Sequence, residues 1–145
     1  MRITDLLKAE RIELGAKPAD KAAAIDLLAD LMEKGGNLAD KAQYKKDVLA
    51  REAEGTTGLG DGLATPHAKS AGVKAAGLAA MTVPQGMDYQ SLDGKPSRLF
   101  FMIAAPDGVH LSAGNGYGAW VTYLRNHAKY SASNPWIMGS AYSAE

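Results

Sequence analysis

The chain has no cysteine among its 145 residues, and that absence excludes three classes of site. These are disulfide scaffolds, thiol nucleophiles and zinc sites built on cysteine. Net charge is also missing, because 16 basic residues balance 16 acidic ones, which argues against nucleic-acid binding through bulk positive charge. No stretch approaches the roughly 18 apolar residues of a membrane span, and Met1-Arg2 opens no signal-peptide pattern. We therefore expect one cytoplasmic domain over residues 1–145, without membrane insertion.

Charged and aromatic residues are distributed unevenly, with a boundary near residue 112. Residues 1–111 contain 15 of the 16 acidic residues and 14 of the 16 lysines and arginines. Residues 112–145 contain one acid, two bases, both tryptophans and four of the six tyrosines. The segment begins with three glycines in seven residues, which disfavours a regular helix. The sequence therefore indicates an ordinary body followed by an atypical C-terminal segment.

Two amphipathic helices are predicted in the first half of the body. The first covers residues 18–34, with Pro18 in its first turn and apolar residues at helical spacing. The second covers residues 40–54, with Asp40 as its N-cap and Gln43 at the capping-box distance. The inward face of the second helix is predicted to consist of Tyr44, Val48 and Leu49.

A glycine-rich segment follows the helices. Residues 55–62 contain four glycines in eight positions and predict a loop. Residues 63–68 are predicted to form one short extended segment, because Pro66 disfavours helix at the residue before it. The loop lacks the Gly-Lys-Ser/Thr ending of a P-loop, and it does not connect a strand to a helix as a dinucleotide site requires. Taken alone, it is equally compatible with a plain turn.

Apolar runs at residues 78–83 and 98–104 predict buried strands, and residues 11–14 predict a short one. Pro84, Gly86 and Asp93-Gly94 predict turns between the two long strands. Helices that precede strands, with both faces of the sheet needing cover, predict an α/β or α+β sandwich.

Three histidines are candidates for chemistry: His67, His110 and His127. His67 stands out because it follows both the glycine-rich loop and Pro66. Successive backbone amides in such loops form concavities that bind anions. A neutral imidazole, with an unperturbed pKa of about 6.5, is also a competent nucleophile near neutral pH. His67 is therefore the leading candidate for the reactive residue.

Residues 51–68, from Arg51-Glu52 through Gly55-Thr56-Thr57-Gly58-Leu59-Gly60 to Ala64-Thr65-Pro66-His67-Ala68, carry a recognisable pattern. They resemble the active-site signature of the fructose/mannitol-type enzyme IIA domain of the phosphoenolpyruvate-dependent sugar phosphotransferase system. The resemblance covers about residues 1–111 and stops at the C-terminal segment. Thr65 departs slightly, since the family often has an aliphatic residue there. The resemblance implies an α/β fold in which a mixed sheet is sandwiched between helices.

The resemblance also implies a phosphoryl relay without metal or other cofactor. His67 would accept the phosphoryl group from the phosphocarrier protein HPr and pass it to the cysteine of an enzyme IIB. Arg51 would bind phosphate oxygens with its guanidinium fork, and His110 would stabilise the phosphorylated His67. Further phosphate contacts would come from the hydroxyls of Thr57 and Thr56 and from loop amides, including those of Gly58 and Gly60.

Two other functions remain open from the sequence. Nitrogen-type enzyme IIA proteins have a similar histidine motif and act as regulatory phosphoproteins by binding other proteins. An inactive variant is the second alternative, because residues 112–145 are either a divergent terminus or a frame-shifted one. A sheet poorly covered by that segment would expose apolar surface and favour a homo-oligomer.

Overall fold

The computed structural model describes residues 6–107 of the chain. They form a six-stranded mixed sheet with two helices, which confirms the predicted fold class. The elements are a short 3-10 helix (Ala9–Arg11), β1 (Ile12–Glu13), α1 (Lys21–Lys34), α2 (Lys41–Glu54), β2 (Gly58–Gly60), β3 (Leu63–Ala64), β4 (His67–Ser70), β5 (Gly77–Met87) and β6 (Ser97–Pro106). Predictions for His110, His127 and residues 112–145 lie outside the described residues.

The centre of the sheet is the antiparallel pair β5 and β6, in which Gly77 lies opposite Ala104. The short β1 runs parallel to β5 on one side. On the other side β3 and β4 both run parallel to β6, one after the other along its length. The outermost strand, β2, pairs antiparallel with β3. The strand that begins with His67 therefore lies directly beside the central pair.

The main core lies between the two helices and one face of the sheet. Alternate residues of β5 and β6 point to this face, as the two-residue period of a strand requires. On the opposite face, Leu6 packs against Leu78 and Ile103. Fully buried side chains of the main core include Ile25, Leu28, Met32, Tyr44, Val48, Met81, Phe100 and Met102.

The helix boundaries follow from their N-caps. The side chain of Asp40 accepts the N–H of Gln43 at 3.0 Å, which confirms the predicted start of α2. The start of α1 was predicted three residues too early. Asp20 caps this helix by accepting the N–H of Ala23 at 2.8 Å, so Pro18 precedes the helix and is not part of its first turn. Each helix has 14 residues, and within residues 6–107 no helix is long and apolar enough to cross a membrane.

The predicted inward face of α2 is wrong at one position. Tyr44 and Val48, one turn apart, are fully buried, and the tyrosine hydroxyl donates to the carbonyl oxygen of Ile103 at 2.7 Å. Leu49 is 43 % exposed, because the next residue along a helix is rotated by about 100° from Val48. The inward stripe of α2 is thus narrower than the sequence suggested.

Several strand boundaries also differ from the predictions. The glycine-rich loop contains β2, and the extended segment 63–68 is split into β3 and β4. Pro84 and Gly86 lie inside β5 and do not form a turn, because the pairing of β5 with β6 shifts register between Thr82 and Met87. An irregularity of this kind leaves backbone donors out of the ladder and so accommodates proline.

Candidate functional site

His67 is placed by the break between β3 and β4. Pro66 has no N–H, and the N–H of Thr65 donates sideways to the carbonyl oxygen of Thr57 at 3.0 Å. The carbonyl oxygen of Pro66 accepts the N–H of Ile103 at 3.0 Å, which attaches the break to β6. The backbone on the N-terminal side of His67 is therefore anchored both to the glycine-rich loop and to the centre of the sheet.

The imidazole of His67 is half-buried and bonded to its own backbone. Its Nδ1 lies 2.7 Å from the carbonyl oxygen of Thr65. A carbonyl oxygen can only accept a hydrogen bond, so Nδ1 is the protonated nitrogen. In the neutral ring the lone pair is then on Nε2, and this atom is the nucleophilic nitrogen.

A pocket opens beside His67 between α2 and β4. It is lined by His67 and by Asp47, Ala50, Arg51, Glu54, Ala68 and Lys69. Arg51 was predicted as a site residue, and the structure brings it to the same pocket as His67. Its Nη1 donates to the carbonyl oxygen of Gly55 at 3.0 Å, which leaves further N–H groups of the guanidinium for other acceptors.

Lys69 is a cation of this pocket that the sequence analysis did not single out. It is exposed and follows His67 by two residues on β4. Residues two apart in a strand share a face, so the ammonium group and the imidazole lie on the same side of the sheet. This alternation was visible in the sequence and could have identified Lys69.

The structure places Thr57 next to Glu52. Thr57 is 2 % exposed, and its N–H donates to both carboxylate oxygens of Glu52 at 3.2 and 3.3 Å. Its hydroxyl also donates to Oε1 of Glu52 and lies 3.3 Å from the hydroxyl of Tyr89. These contacts link Thr57 to the interior of the protein, and phosphate binding by its hydroxyl stays a prediction.

The other loop residues of the predicted site contact neighbouring backbone and side chains. The Thr56 hydroxyl accepts the N–H of Gly58 at 3.1 Å. A Cβ on Gly58 would lie 2.8 Å from the Cα of Ser91, and a Cβ on Gly60 would lie 3.2 Å from the carboxylate of Asp93. Gly60 also has a φ of +95°, which favours glycine. These two glycines allow the loop to approach residues 91–93 closely, and phosphate binding by their amides stays a prediction.

Asp93 fixes the tip of the loop from the opposite side. Its carboxylate accepts the N–H of Asp61 at 2.9 Å and that of Lys95 at 3.0 Å. These backbone donors, the N–H of Asp61 first, lower the pKa of Asp93 below its ordinary value. The N–H of Leu92 donates to the carbonyl oxygen of Gly58 at 3.0 Å, so residues 91–93 support the loop along its length.

Glu52 accepts more hydrogen bonds than the other side chains described near the site, and no role was predicted for it from the motif. Its side chain is 5 % exposed, and its carboxylate lies 2.8 Å from the ammonium group of Lys21 and 3.0 Å from the hydroxyl of Tyr89, which donates to it. Burial raises the pKa of Tyr89, so this hydroxyl stays protonated as a donor. Glu52 could have been predicted from its position beside Arg51 in the motif. Nothing in the sequence connects Tyr89, 37 residues away, with the site.

Comparison with known proteins gives a family match. Residues 5–113 match the model of the phosphoenolpyruvate-dependent sugar phosphotransferase system EIIA 2 family. The chain is 42 % identical over 116 residues to a fructose-specific EIIABC component of Bacillus subtilis, covering 78 % of the chain and 18 % of that protein. It is 38 % identical over 104 residues to a fructose-specific EIIA component of Haloferax volcanii, covering 72 % of the chain and 68 % of that protein.

Solved structures resemble the chain over most of its length. The nitrogen regulatory protein IIA-Ntr of Neisseria meningitidis superposes with a TM-score of 0.79 at 25 % identity, covering 97 % of both chains. The mannitol enzyme IIA of Escherichia coli, in its complex with phosphorylated mannitol enzyme IIB, gives a TM-score of 0.71 at 26 % identity. That match covers 90 % of this chain and 91 % of the other.

Proposed function

The chain belongs to the EIIA 2 family of the phosphoenolpyruvate-dependent sugar phosphotransferase system, and from that membership we propose that it is a phosphohistidine carrier. His67 accepts a phosphoryl group from an HPr-type phosphocarrier protein and passes it to the cysteine of an enzyme IIB. The fused fructose-specific relative and the mannitol complex both support an enzyme IIB partner. The chain spans only 18 % of that fused relative.

One observation carries the proposal: Nδ1 of His67 is bonded to the Thr65 carbonyl oxygen at 2.7 Å. The lone pair on Nε2 attacks phosphorus, a P–Nε2 bond forms, and the P–N bond to the donor histidine breaks with its electrons returning to the donor ring. The proton stays on Nδ1. In the second step the thiolate of the enzyme IIB attacks phosphorus, and the P–Nε2 bond breaks. Both steps depend mainly on positioning and charge stabilisation.

Arg51 binds the oxygens of the transferring group in this proposal. A guanidinium fork fits two phosphate oxygens at once and opposes their charge better than a single ammonium group. His110 acts as a second histidine that stabilises the phosphorylated ring. The amides of the loop that contains Thr56, Gly58 and Gly60 provide further donors in this proposal.

A labelling assay tests the proposal directly. The protein is incubated with phosphoenolpyruvate, enzyme I and HPr, and the gain in mass is measured before and after acid treatment. We expect one acid-labile phosphate on the wild type and none on His67→Gln, while His127→Gln retains it as a matched control. Absence of label on the wild type, or undiminished label on His67→Gln, would contradict the relay.

A regulatory role is the second candidate, favoured by the likeness to the nitrogen regulatory protein. Both functions require phosphorylation of His67, so onward transfer separates them. Purified phosphorylated protein is mixed with a fructose-type enzyme IIB, and loss of label is followed over time. Rapid transfer supports the sugar relay. A stable label, with partner binding that depends on it, supports the regulator, and an unlabelled wild type would indicate the inactive variant.

A further inference from the structure

A continuous chain of polar contacts leads from the start of α1 to the imidazole of His67. The ammonium group of Lys21 lies 2.8 Å from Glu52, and both oxygens of Glu52 accept the N–H of Thr57. The carbonyl oxygen of Thr57 accepts the N–H of Thr65 at 3.0 Å. The carbonyl oxygen of Thr65 in turn lies 2.7 Å from Nδ1 of His67. The sequence motif contains most of these residues, but it does not indicate that they are connected.

We propose that Glu52 is a positioning residue for His67: through Thr57 and Thr65 its carboxylate fixes the orientation of the imidazole and its Nδ1–H tautomer. The inference rests on the proposed function for its consequence, namely a faster phosphoryl transfer. Its structural content, the tautomer of an unphosphorylated histidine, is independent of that function. Within residues 6–107 no hydrogen bond joins Glu52 to the imidazole, and its effect passes through two backbone carbonyl groups.

The chemistry of the contacts requires a carboxylate at this position. Four donors converge on Glu52: the N–H and hydroxyl of Thr57, the hydroxyl of Tyr89 and the ammonium group of Lys21. An ionised carboxylate only accepts hydrogen bonds and satisfies all four. A glutamine of the same size would direct an NH2 group, itself a donor, at one or more of these donors. Glu52→Gln therefore disturbs the contacts with almost no change in volume.

The surroundings of Glu52 transmit such a disturbance to the loop. Thr57 and Tyr89 are both buried, so their polar groups have no water to replace the carboxylate. When Thr57 shifts, its carbonyl oxygen no longer fixes the N–H of Thr65, and the carbonyl group of Thr65 is free to turn away from His67. The Nδ1 proton then loses its acceptor, and the proton redistributes between the two ring nitrogens. Any ring with its proton on Nε2 has no lone pair at the attacking position.

Nuclear magnetic resonance of 15N-labelled protein tests the proposal without any phosphate. Long-range correlation spectra of the imidazole distinguish the two tautomers, and they are recorded at a pH at which the spectra themselves show a neutral ring. We expect wild-type His67 to have its proton on Nδ1 and Glu52→Gln to show a mixture. Glu33→Gln, a change of the same chemistry at an exposed position of α1, should match the wild type.

The rate of labelling supplies the second readout. We expect phosphoryl transfer to Glu52→Gln to be slower by about tenfold or more, by analogy with the loss that follows removal of the outer-shell partners of metal-ligating histidines. Tyr89→Phe removes only one of the four donors and keeps the ring packed on Phe100, at a centroid distance of 5.4 Å. This milder variant should fold readily and give a smaller shift in the same direction, so it tests the proposal even if Glu52→Gln is unfolded.

Two results would overturn the inference. One is a wild-type ring with its proton on Nε2, and the other is a wild-type tautomer and labelling rate in whichever of Glu52→Gln and Tyr89→Phe is folded. A loss of stability with an unchanged tautomer has the same meaning, since it leaves Glu52 a purely structural role. Failure of the proposed function looks different. In that case wild-type His67 has its proton on Nδ1 and Glu52→Gln changes the tautomer of His67, but neither protein incorporates phosphate.

Discussion

A buried charged side chain lies beside each end of α1, and these two side chains differ in how completely their polar atoms are hydrogen-bonded. At the N-terminal end, Glu52 receives four donors from three residues. Beyond the C-terminal end, Arg11 is 4 % exposed, and Nη1 donates to Oδ1 of Asn37. Nε of Arg11 is buried without a hydrogen-bond partner in residues 6–107. Burial of a charge therefore does not by itself indicate a satisfied polar network.

The difference shows what each side chain contributes. A Cβ on Gly35 would lie 2.4 Å from Cδ of Arg11, and a Cβ on Gly77 would lie 2.9 Å from its Nη1. Gly35 thus makes room for the apolar stem of the arginine, which fills space as long side chains often do, and Gly77 makes room for its guanidinium group. Glu52, by contrast, lies beside residues that place the catalytic candidate. Its role depends on its charge, whereas the role of Arg11 depends on its shape.

The largest effect is expected when the charge at Glu52 is removed. Glu52→Ala leaves the hydroxyls of Thr57 and Tyr89 and the ammonium group of Lys21 without their acceptor, so the free energy of unfolding should fall by about 3 kcal/mol. Urea denaturation followed by circular dichroism measures it. Glu33→Ala, at an exposed position on α1, is the matched control and should change the free energy of unfolding by less than about 0.5 kcal/mol. Equal losses of unfolding free energy in Glu52→Ala and Glu33→Ala would contradict a special contribution of the buried Glu52 carboxylate.

A smaller effect is expected when the charge of Arg11 is replaced by an apolar group of similar length. Arg11→Met retains the apolar stem beside Gly35 and removes a buried charge whose Nε has no partner in residues 6–107. This gain offsets the loss of the donor to Asn37, so the free energy of unfolding should change by less than about 1 kcal/mol. Arg11→Ala removes the stem as well and should cost about 2 kcal/mol or more through the cavity it leaves. The same denaturation measurement applies. A loss for Arg11→Met as large as that for Glu52→Ala would show that both charges are required.

The smallest effect is expected at Asp93, which accepts backbone N–H groups as Glu52 does but lies at the surface. Because its pKa is lowered in the folded protein, Asp93 stabilises the fold above its ordinary pKa of 3.8 and loses this contribution as the pH falls through the lower folded value. The wild type should therefore be more stable than Asp93→Asn at neutral pH, and the difference should shrink below pH 3.8. Urea midpoints at both pH values measure it. If the stability difference between the wild type and Asp93→Asn did not change with pH, the lowered pKa of Asp93 would not be its cause.

The sequence predicted those features of the fold that depend on contacts between residues close together in the chain. The N-cap at Asp40 was found because its partner lies three residues away. His67 was singled out because the motif around it is contiguous, and its role stays a prediction. The position of Pro84 was missed, since a register shift against β6 overrides its turn preference. The partners of Thr57 were missed for a related reason: the hydroxyl of Tyr89 reaches it across 32 residues, and no short motif encodes such a contact.

The short strand β4 has a consequence for solubility. Within residues 6–107 it pairs with β6 alone, so its other side is an edge of the sheet at which a second chain could add a strand. Four residues offer few backbone groups to such a partner, and the preceding Pro66 offers no donor at all. Lys69 adds an exposed positive charge in the middle of the strand, which is a common protection against edge-to-edge aggregation. The segment that leaves His67 accessible is therefore also a poor template for aggregation.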